Sequence, residues 1–196
     1  MPILYLLDNI LYIKCEHKIY ELNLKECVRL NRIINKKKLI KNINNFFKDN
    51  KDIKKIFIKG VIFVSERTLY QIDKDILFDI LDSVNINKIK FVNLVDLIKI
   101  KKNTLMINIT NSYYQIFFKE KENIIDIMFF KKRINDLVKI LVSNYSFGNI
   151  ILLNSNKRVA NELERKYNKN TYYIYNKLEY VFNLIEMHKW YVSFLL

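Results

Sequence analysis

One stretch, Thr104–Phe118, constrains the fold of this chain more than any other. Leu105, Met106, Ile107 and Ile109 form a near-continuous apolar run, the pattern of a strand buried on both faces. Thr110, Asn111 and Ser112 supply turn chemistry. Tyr113–Phe118 then resumes with aromatic and β-branched residues that suit a second strand. Charged, helix-like segments flank this hairpin on both sides, which predicts a place at the centre of a mixed sheet.

The rest of the chain supplies the partners such a sheet needs. Pro2–Leu7, Ile10–Cys15 and Lys18–Leu22 read as three strands of a meander, with Asp8-Asn9 and Glu16-His17 at the corners. Cys27–Ile34 has no clear period. Leu39, Ile40, Ile43, Phe46 and Phe47 make one apolar helical stripe, preceded by the basic run Lys36–Lys38, a solvated helix start. Ile53–Phe57 reads as a strand leading into a second apolar run, Ile58–Val64. With Ser65 as a cap, Thr68–Val84 is a strong helix whose apolar arc covers roughly half its circumference, more than one sheet contact requires. Lys88–Leu94 is a strand and Val95–Ile98 a helical turn. After the hairpin come a strand over Asn123–Phe130, a helix through Ile134–Tyr145 stopped by Gly148, and a strand over Asn149–Leu153. A helix over Lys157–Tyr167, a strand over Thr171–Tyr175, a helix through Leu178–Ile185 and a terminal strand over Trp190–Leu195 complete the order. Strands alternating with helices behind a three-stranded meander give an α/β class, a ribonuclease-H-like or actin-like mixed sheet flanked by helices. The length allows two small lobes, an N-terminal one over residues 1–100 and a C-terminal one over 101–196.

Composition enters through charge. Lys, Asn and Ile dominate, with two Gly, one Pro and the single alanine Ala160, the codon bias of an AT-rich genome. The net charge of +14 therefore has two readings, contact with nucleic acid or codon drift towards lysine. Cys15 and Cys27 are too few for a secreted disulfide framework, so a reducing cytoplasm is expected. His17 and His188 lie far apart with no clustered ligands, so no metal is expected. Met1–Leu7 lacks a basic leader, and no apolar run approaches the ~20 residues of a membrane span, so no stable membrane insertion is expected.

Catalytic constellations are missing. With Gly60 and Gly148 as the only glycines, there is no Gly-rich loop of the kind that cradles phosphate. Asp8 fits either a metal-binding carboxylate or a turn-former that bonds its own backbone. Asn154, Ser155 and Asn156 end a strand ahead of a helix, where they fit a ligand contact or a helix cap.

In this pattern the chain resembles the actin-like ATPase superfamily, and in size and order the TsaB subunit family of the bacterial tRNA threonylcarbamoyladenosine system. Met1–Asn9 is similar to that family's first strand and polar turn, and Ile53–Gly60 to the strand ahead of its Gly-Pro-Gly-Ser loop. Lys90–Leu97 is similar to its next strand and short helix, and Ile107–Phe118 to its strand, turn and return strand. Ile150–Leu153 and Trp190–Val192 fall in matching order. Val61–Ser65 stands where the glycine loop would be, and Thr110 or Asn111 where an Arg would be. The MreB, FtsA and PilM proteins offer a second comparison. Their phosphate loop Asp-x-Gly-Gly-Gly-Thr would fall on Asn108–Tyr113, and their adenosine loop on Leu153–Asn156, neither of which holds a glycine.

The first resemblance implies a non-catalytic subunit, not itself an enzyme and holding no cofactor, that pairs with a catalytic TsaD-like paralogue as a heterodimer or with itself, and meets tRNA indirectly. It places the partner interface on two helices, at Leu39, Ile43, Phe46 and Phe47 and at Leu69, Ile72, Ile76 and Ile80. Self-burial of the same arc against the chain's own first helix is the competing account. Two alternatives stay open. One is a degenerate actin-like scaffold of cell division or pilus assembly, with a membrane-touching tail over His188–Leu196. The other is a basic nucleic-acid-binding module using Lys36–Lys38, Lys99–Lys102 and Lys131–Arg133.

Overall fold

The computed structural model describes residues 1–29, 32–66, 69–98, 100–110, 113–120, 123–130, 147–153, 161, 165, 170–174 and 176–192. The chain divides into two compact units, Met1–Leu97 and Ile98–Leu196.

In the first unit, β1 (Ile3–Leu7), β2 (Ile10–Cys15) and β3 (Lys18–Asn23) form an antiparallel meander. Its corners fall at Asp8 and Glu16, both with φ of +54°. A small hairpin, β4 (Val28–Arg29) and β5 (Arg32–Ile33), occupies the stretch without a period. It precedes α1 (Lys36–Asp49) and α2 (Lys51–Phe57). The Asn35 side chain caps α1 by accepting a bond from the Lys38 N–H. Then follow β6 (Val61–Ser65), α3 (Gln71–Asp82), β7 (Ile89–Asn93) and the single turn α4 (Leu94–Leu97). β6 lies parallel to both β1 and β7, so the sheet runs β3-β2-β1-β6-β7. Leu4, Leu6, Leu11, Ile13, Val61 and Phe63 point to one face, as the two-residue period of a strand dictates. Leu39, Ile43 and Phe47 of α1, Ile53 and Phe57 of α2, and Leu77, Ile80 and Leu81 of α3 close over them. Each such burial contributes about 1.5–3 kcal/mol, and Phe47 and Phe57 add an edge-to-face contact at 5.0 Å.

The second unit repeats this plan. β8 (Thr104–Ile109), β9 (Tyr113–Glu120) and β10 (Asn123–Phe130) form the meander. β11 (Asn149–Leu153) lies parallel to β8 and to β12 (Asn170–Ile174), giving the order β10-β9-β8-β11-β12. Numbered within their own units, both sheets read 3-2-1-4-5 with the same strand directions. β8 is the centre of its sheet and every residue of it is buried, the environment that its unbroken apolar run predicts. Val181, Phe182 and Ile185 bury one side of α5 (Lys177–Val192). The mixed α/β class with helix-flanked sheets is therefore as expected.

Several local expectations change. Ile53–Phe57 is helix, not strand, because Ile53 and Phe57 are spaced i, i+4 and both face the core between exposed lysines. The strand here is Val61–Ser65, so Gly60 precedes it. Ser65 is a buried strand residue rather than a cap, and the first turn of α3 is tied instead by the Asp73 carboxylate accepting from the Tyr70 N–H at 3.2 Å. Trp190–Val192 belong to α5 rather than to a terminal strand, since no breaker separates them from the buried helical stripe. The helix expected over Ile134–Tyr145 lies outside the described residues, and of the one expected over Lys157–Tyr167 only Asn161 and Arg165 are described, both helical. The basic run Lys131–Arg133, the Asn154–Asn156 loop and residues 193–196 also lie outside the described residues.

Candidate functional site: two hairpin corners and a helical face

In an open α/β sheet, ligands are met at the carboxyl ends of the parallel strands. Each unit has one such edge, beside the turn of its first hairpin.

In the first unit the edge carries Asp8, Ser65, Glu66 and Asn93. Asp8 is buried in the left-handed region, which Asp tolerates better than most residues. The neighbouring Asn9 carbonyl accepts from the Leu24 N–H at 2.6 Å. Tyr5 and Glu66 are both buried, and the phenol donates to Glu66 Oε1 at 2.5 Å. Asn93 accepts from the Leu69 N–H at 3.3 Å and donates to the Asp96 carboxylate at 2.7 Å. Tyr12 lies opposite Tyr5 on β2, and burial, then Glu21, then Asp8 push its hydroxyl pKa up. Tyr5 thus ties β1 to the residue after β6, and Asn93 holds the segment that enters α3, while the buried Asp8 Oδ1 accepts no hydrogen bond among the described residues.

Leu6 lies beside Ser65 and Asn108 beside Leu153, the last residues of the equivalent strands β6 and β11. The pair Leu6 and Leu11 of the first unit therefore corresponds to Asn108 opposite Gln115 in the second. Both polar residues are fully buried, and Asn108 Nδ2 donates to Gln115 Oε1 at 3.2 Å. At the corner itself the Thr110 N–H donates to the Tyr113 carbonyl at 3.0 Å. Thr110 Oγ1 donates to that same carbonyl at 2.9 Å and accepts from the Tyr113 N–H at 3.0 Å. The two backbone donors flanking the turn are therefore committed inside the hairpin. A phosphate cradle needs such donors free.

The two glycines sit at the opposite edge. Gly60 immediately precedes β6 and Gly148 immediately precedes β11, equivalent places at the amino ends of equivalent strands. Gly60 has φ of +115°, and a Cβ there would meet Lys88 Cβ and the Lys88 carbonyl at 3.1 Å. Gly148 donates to the Asn103 carbonyl at 2.8 Å. Both serve strand entry. Among the described residues no three His, Cys, Asp or Glu side chains are grouped to hold a metal ion. The thiols are buried: burial, then Glu16, push Cys15 up to about 11, and burial raises Cys27.

The eight residues expected at a partner interface divide sharply. Leu39, Ile43 and Phe47 on α1, together with Leu69 and Ile80, are buried in the unit's own core. Phe46 and Ile76 are half-buried against it, and Ile72 is 68% exposed. The broad arc of α3 is thus largely used inside the unit. Outside it stand Tyr70, Ile72 and Phe78, with Asp75, Asp79 and Asp82 also exposed on α3. Phe78 escapes a periodicity argument because it falls between the core positions, although a large apolar residue among aspartates is itself a signal.

Both sheets and their order define the actin-like ATPase fold. Two solved structures with this architecture cover most of the chain. The ethanolamine utilization protein EutJ of Carboxydothermus hydrogenoformans matches with a TM-score of 0.58 and 8% identity, over 90% of this chain and 85% of that one. A Bacteroides thetaiotaomicron protein with an actin-like ATPase fold and unknown function matches with a TM-score of 0.57 and 10% identity, over 88% and 90%. No family model and no curated protein matches the sequence. At these identities the likeness is one of fold alone. No helix among the described residues is long and apolar enough to cross a membrane.

Proposed function

We propose that this chain is a non-hydrolysing subunit built on the actin-like fold, which acts by holding a protein partner. The particular system proposed is formation of threonylcarbamoyladenosine on tRNA, beside a catalytic TsaD-like paralogue. The observation that carries the non-catalytic reading is the corner of the second unit, closed by side-chain bonds except at Asn108 Oδ1, which is buried without a partner among the described residues. Asn108 pairs with Gln115, and Thr110 and Tyr113 bond each other, where the resemblance calls for a carboxylate and glycines. The partner reading is supported by exposed Ile72 beside half-buried Ile76, one turn apart on α3, with Phe78 exposed on the other side of the Asp75, Asp79 and Asp82 stripe. The assignment to the tRNA system, in contrast, rests on the pattern of Met1–Asn9, Lys90–Leu97 and Ile107–Phe118.

Two measurements test these layers separately. Titration calorimetry with ATP and Mg²⁺ is expected to show no binding, and saturable binding with hydrolysis would remove the non-catalytic reading. Co-expression with the catalytic paralogue of the same genome is expected to give a co-purifying pair that Ile72→Asp with Phe78→Asp dissociates. Failure of the wild-type pair to co-purify, with normal tRNA modification in cells lacking this chain, removes the assignment to that system.

A further inference from the structure

Net charge is distributed unevenly along the chain. Residues 36–59 hold nine lysines against Asp49 and Asp52, a net +7, which is half of the whole chain's +14. The neighbouring helix α3 runs the other way, with four aspartates and one lysine. Codon drift would spread lysine along the exposed surface without regard to position, so it does not account for this contrast.

The lysines are also placed against the interest of their helix. Lys36, Lys37 and Lys38 occupy the first turn of α1 with no acid among them. A helix amino terminus carries partial positive charge and favours anions. Lys36 is partly compensated by Asp79 at 2.8 Å and Lys38 by Glu26. Lys37, Lys41, Lys48, Lys51 and Lys59 are exposed and make no ion pair among the described residues. At 100° per residue, Lys37, Lys41 and Lys48 fall in an arc of about 40° and span ~16 Å along α1. Leu39, Ile43, Phe47, Ile53 and Phe57 of α1 and α2 enter one core, so the lysine sides of both helices point away from it.

From this we infer that α1 and α2 form a ridge that binds the phosphate backbone of a nucleic acid without reading its bases. Lysine is a compact point charge that attracts phosphate without the bidentate geometry of arginine, and residues 36–59 contain no arginine. Exposed aromatic side chains, which stack on bases, are also missing from α1 and α2. An anionic membrane surface fits less well. An interfacial helix must insert its apolar side, and here that side is buried in the core, leaving Ile58 as the exposed apolar residue of the segment. The inference stands without the partner reading and goes beyond it.

The test uses the full chain and a fluorescein-labelled oligouridylate of 20 nucleotides, with an oligothymidylate of equal length beside it. Anisotropy is followed between 50 and 200 mM salt. Both probes are expected to bind, with the affinity falling steeply as salt rises. Lys37→Glu, Lys41→Glu and Lys48→Glu together are expected to weaken binding by about tenfold or more and to lower the salt slope by about 2, since each single-strand phosphate contact contributes about 0.7. Lys51→Glu with Lys59→Glu is an independent second variant and should act in the same direction. Lys18→Glu, Lys25→Glu and Lys90→Glu change the net charge equally at exposed sites elsewhere and should cost less than about threefold. Lys37→Glu alone should raise the melting temperature while weakening binding, which a purely structural role would not do. Equal losses in the ridge triple and the control triple overturn the inference, as does an absence of wild-type binding at 50 mM salt. Ridge-dependent capture of phosphatidylglycerol vesicles without oligonucleotide binding overturns it in favour of a membrane.

Discussion

Asn108→Asp is the substitution that asks most directly whether the second corner is closed. It introduces a carboxylate and changes the side-chain volume hardly at all, so no cavity term enters. The cost is electrostatic. Asn108 is fully buried, and its Nδ2 donates to Gln115 Oε1, so an ionised carboxylate in its place would set one acceptor against another. Losing that donor costs about 1–3 kcal/mol unless the Gln115 amide turns over. Ionising a carboxyl in such a place costs more. If burial lifts its pKa by only about 2–3 pH units above the usual ~3.9, the charged form is penalised by about 3–4 kcal/mol at neutral pH.

The sign of the pH dependence follows. A carboxyl whose folded pKa is raised leaves stability intact below its unfolded pKa, because the neutral acid can donate to Gln115 as the amide did. Stability is then lost as pH rises towards the folded value, so the deficit should be small near pH 4 and largest at pH 7 and above. Urea unfolding of wild type and variant at several values between pH 4 and 8, read with unchanged m-values, measures this. A variant as stable as wild type at pH 7.5 would show that water or a cation reaches this position, and the closed-corner argument would fail. Stabilisation of the variant by ATP with Mg²⁺ would refute it more directly.

Further expectations rest on single residues. Gly60→Ala should destabilise by about 1–3 kcal/mol in thermal unfolding, since φ of +115° disfavours any side chain and the new Cβ would press on the Lys88 backbone. Glu16→Gly should stabilise by about 0.5–1 kcal/mol, because Glu16 holds φ of +54° in an exposed turn where a glycine has no Cβ penalty. The native thiols should react slowly with a disulfide reagent at pH 8, and Cys15, at about 11, should become reactive only as pH climbs well past the ordinary 9.0. The same raised value means its contribution to stability is complete below pH 9 and fades as pH rises towards 11, a slope that Cys15→Ala should remove.

The fold is legible in the sequence where one period dominates. Buried strands such as Thr104–Ile109 announce themselves by unbroken apolar runs, and Ile10–Cys15 by its tight corners. Ile53–Phe57 misleads because a short run of Ile, Phe and Lys fits either period, and only the i, i+4 placement of Ile53 and Phe57 over one core separates helix from strand. Trp190–Val192 misleads because aromatic and β-branched content speaks for a strand, while packing begun at Val181 carries the helix onward. The repeated sheet order is invisible for a different reason. It resides in hydrogen-bond pairing between distant strands, and the two units meet its demands with different residues, Leu6 and Leu11 in one and Asn108 and Gln115 in the other.

That difference bears on how one sheet order can be met by dissimilar sequences. The sheets demand apolar runs of the right period, and isoleucine, phenylalanine and tyrosine meet the demand as well as valine and alanine do. Glycine is another matter, since only positions with positive φ or close backbone approach need it. The chain's two glycines, Gly60 and Gly148, occupy equivalent positions at strand entry. Gly60 answers such a need, with φ of +115° and Lys88 at 3.1 Å from any added Cβ, whereas at the second unit's hairpin corner the side-chain bonds of Thr110 tie it to Tyr113 without a glycine.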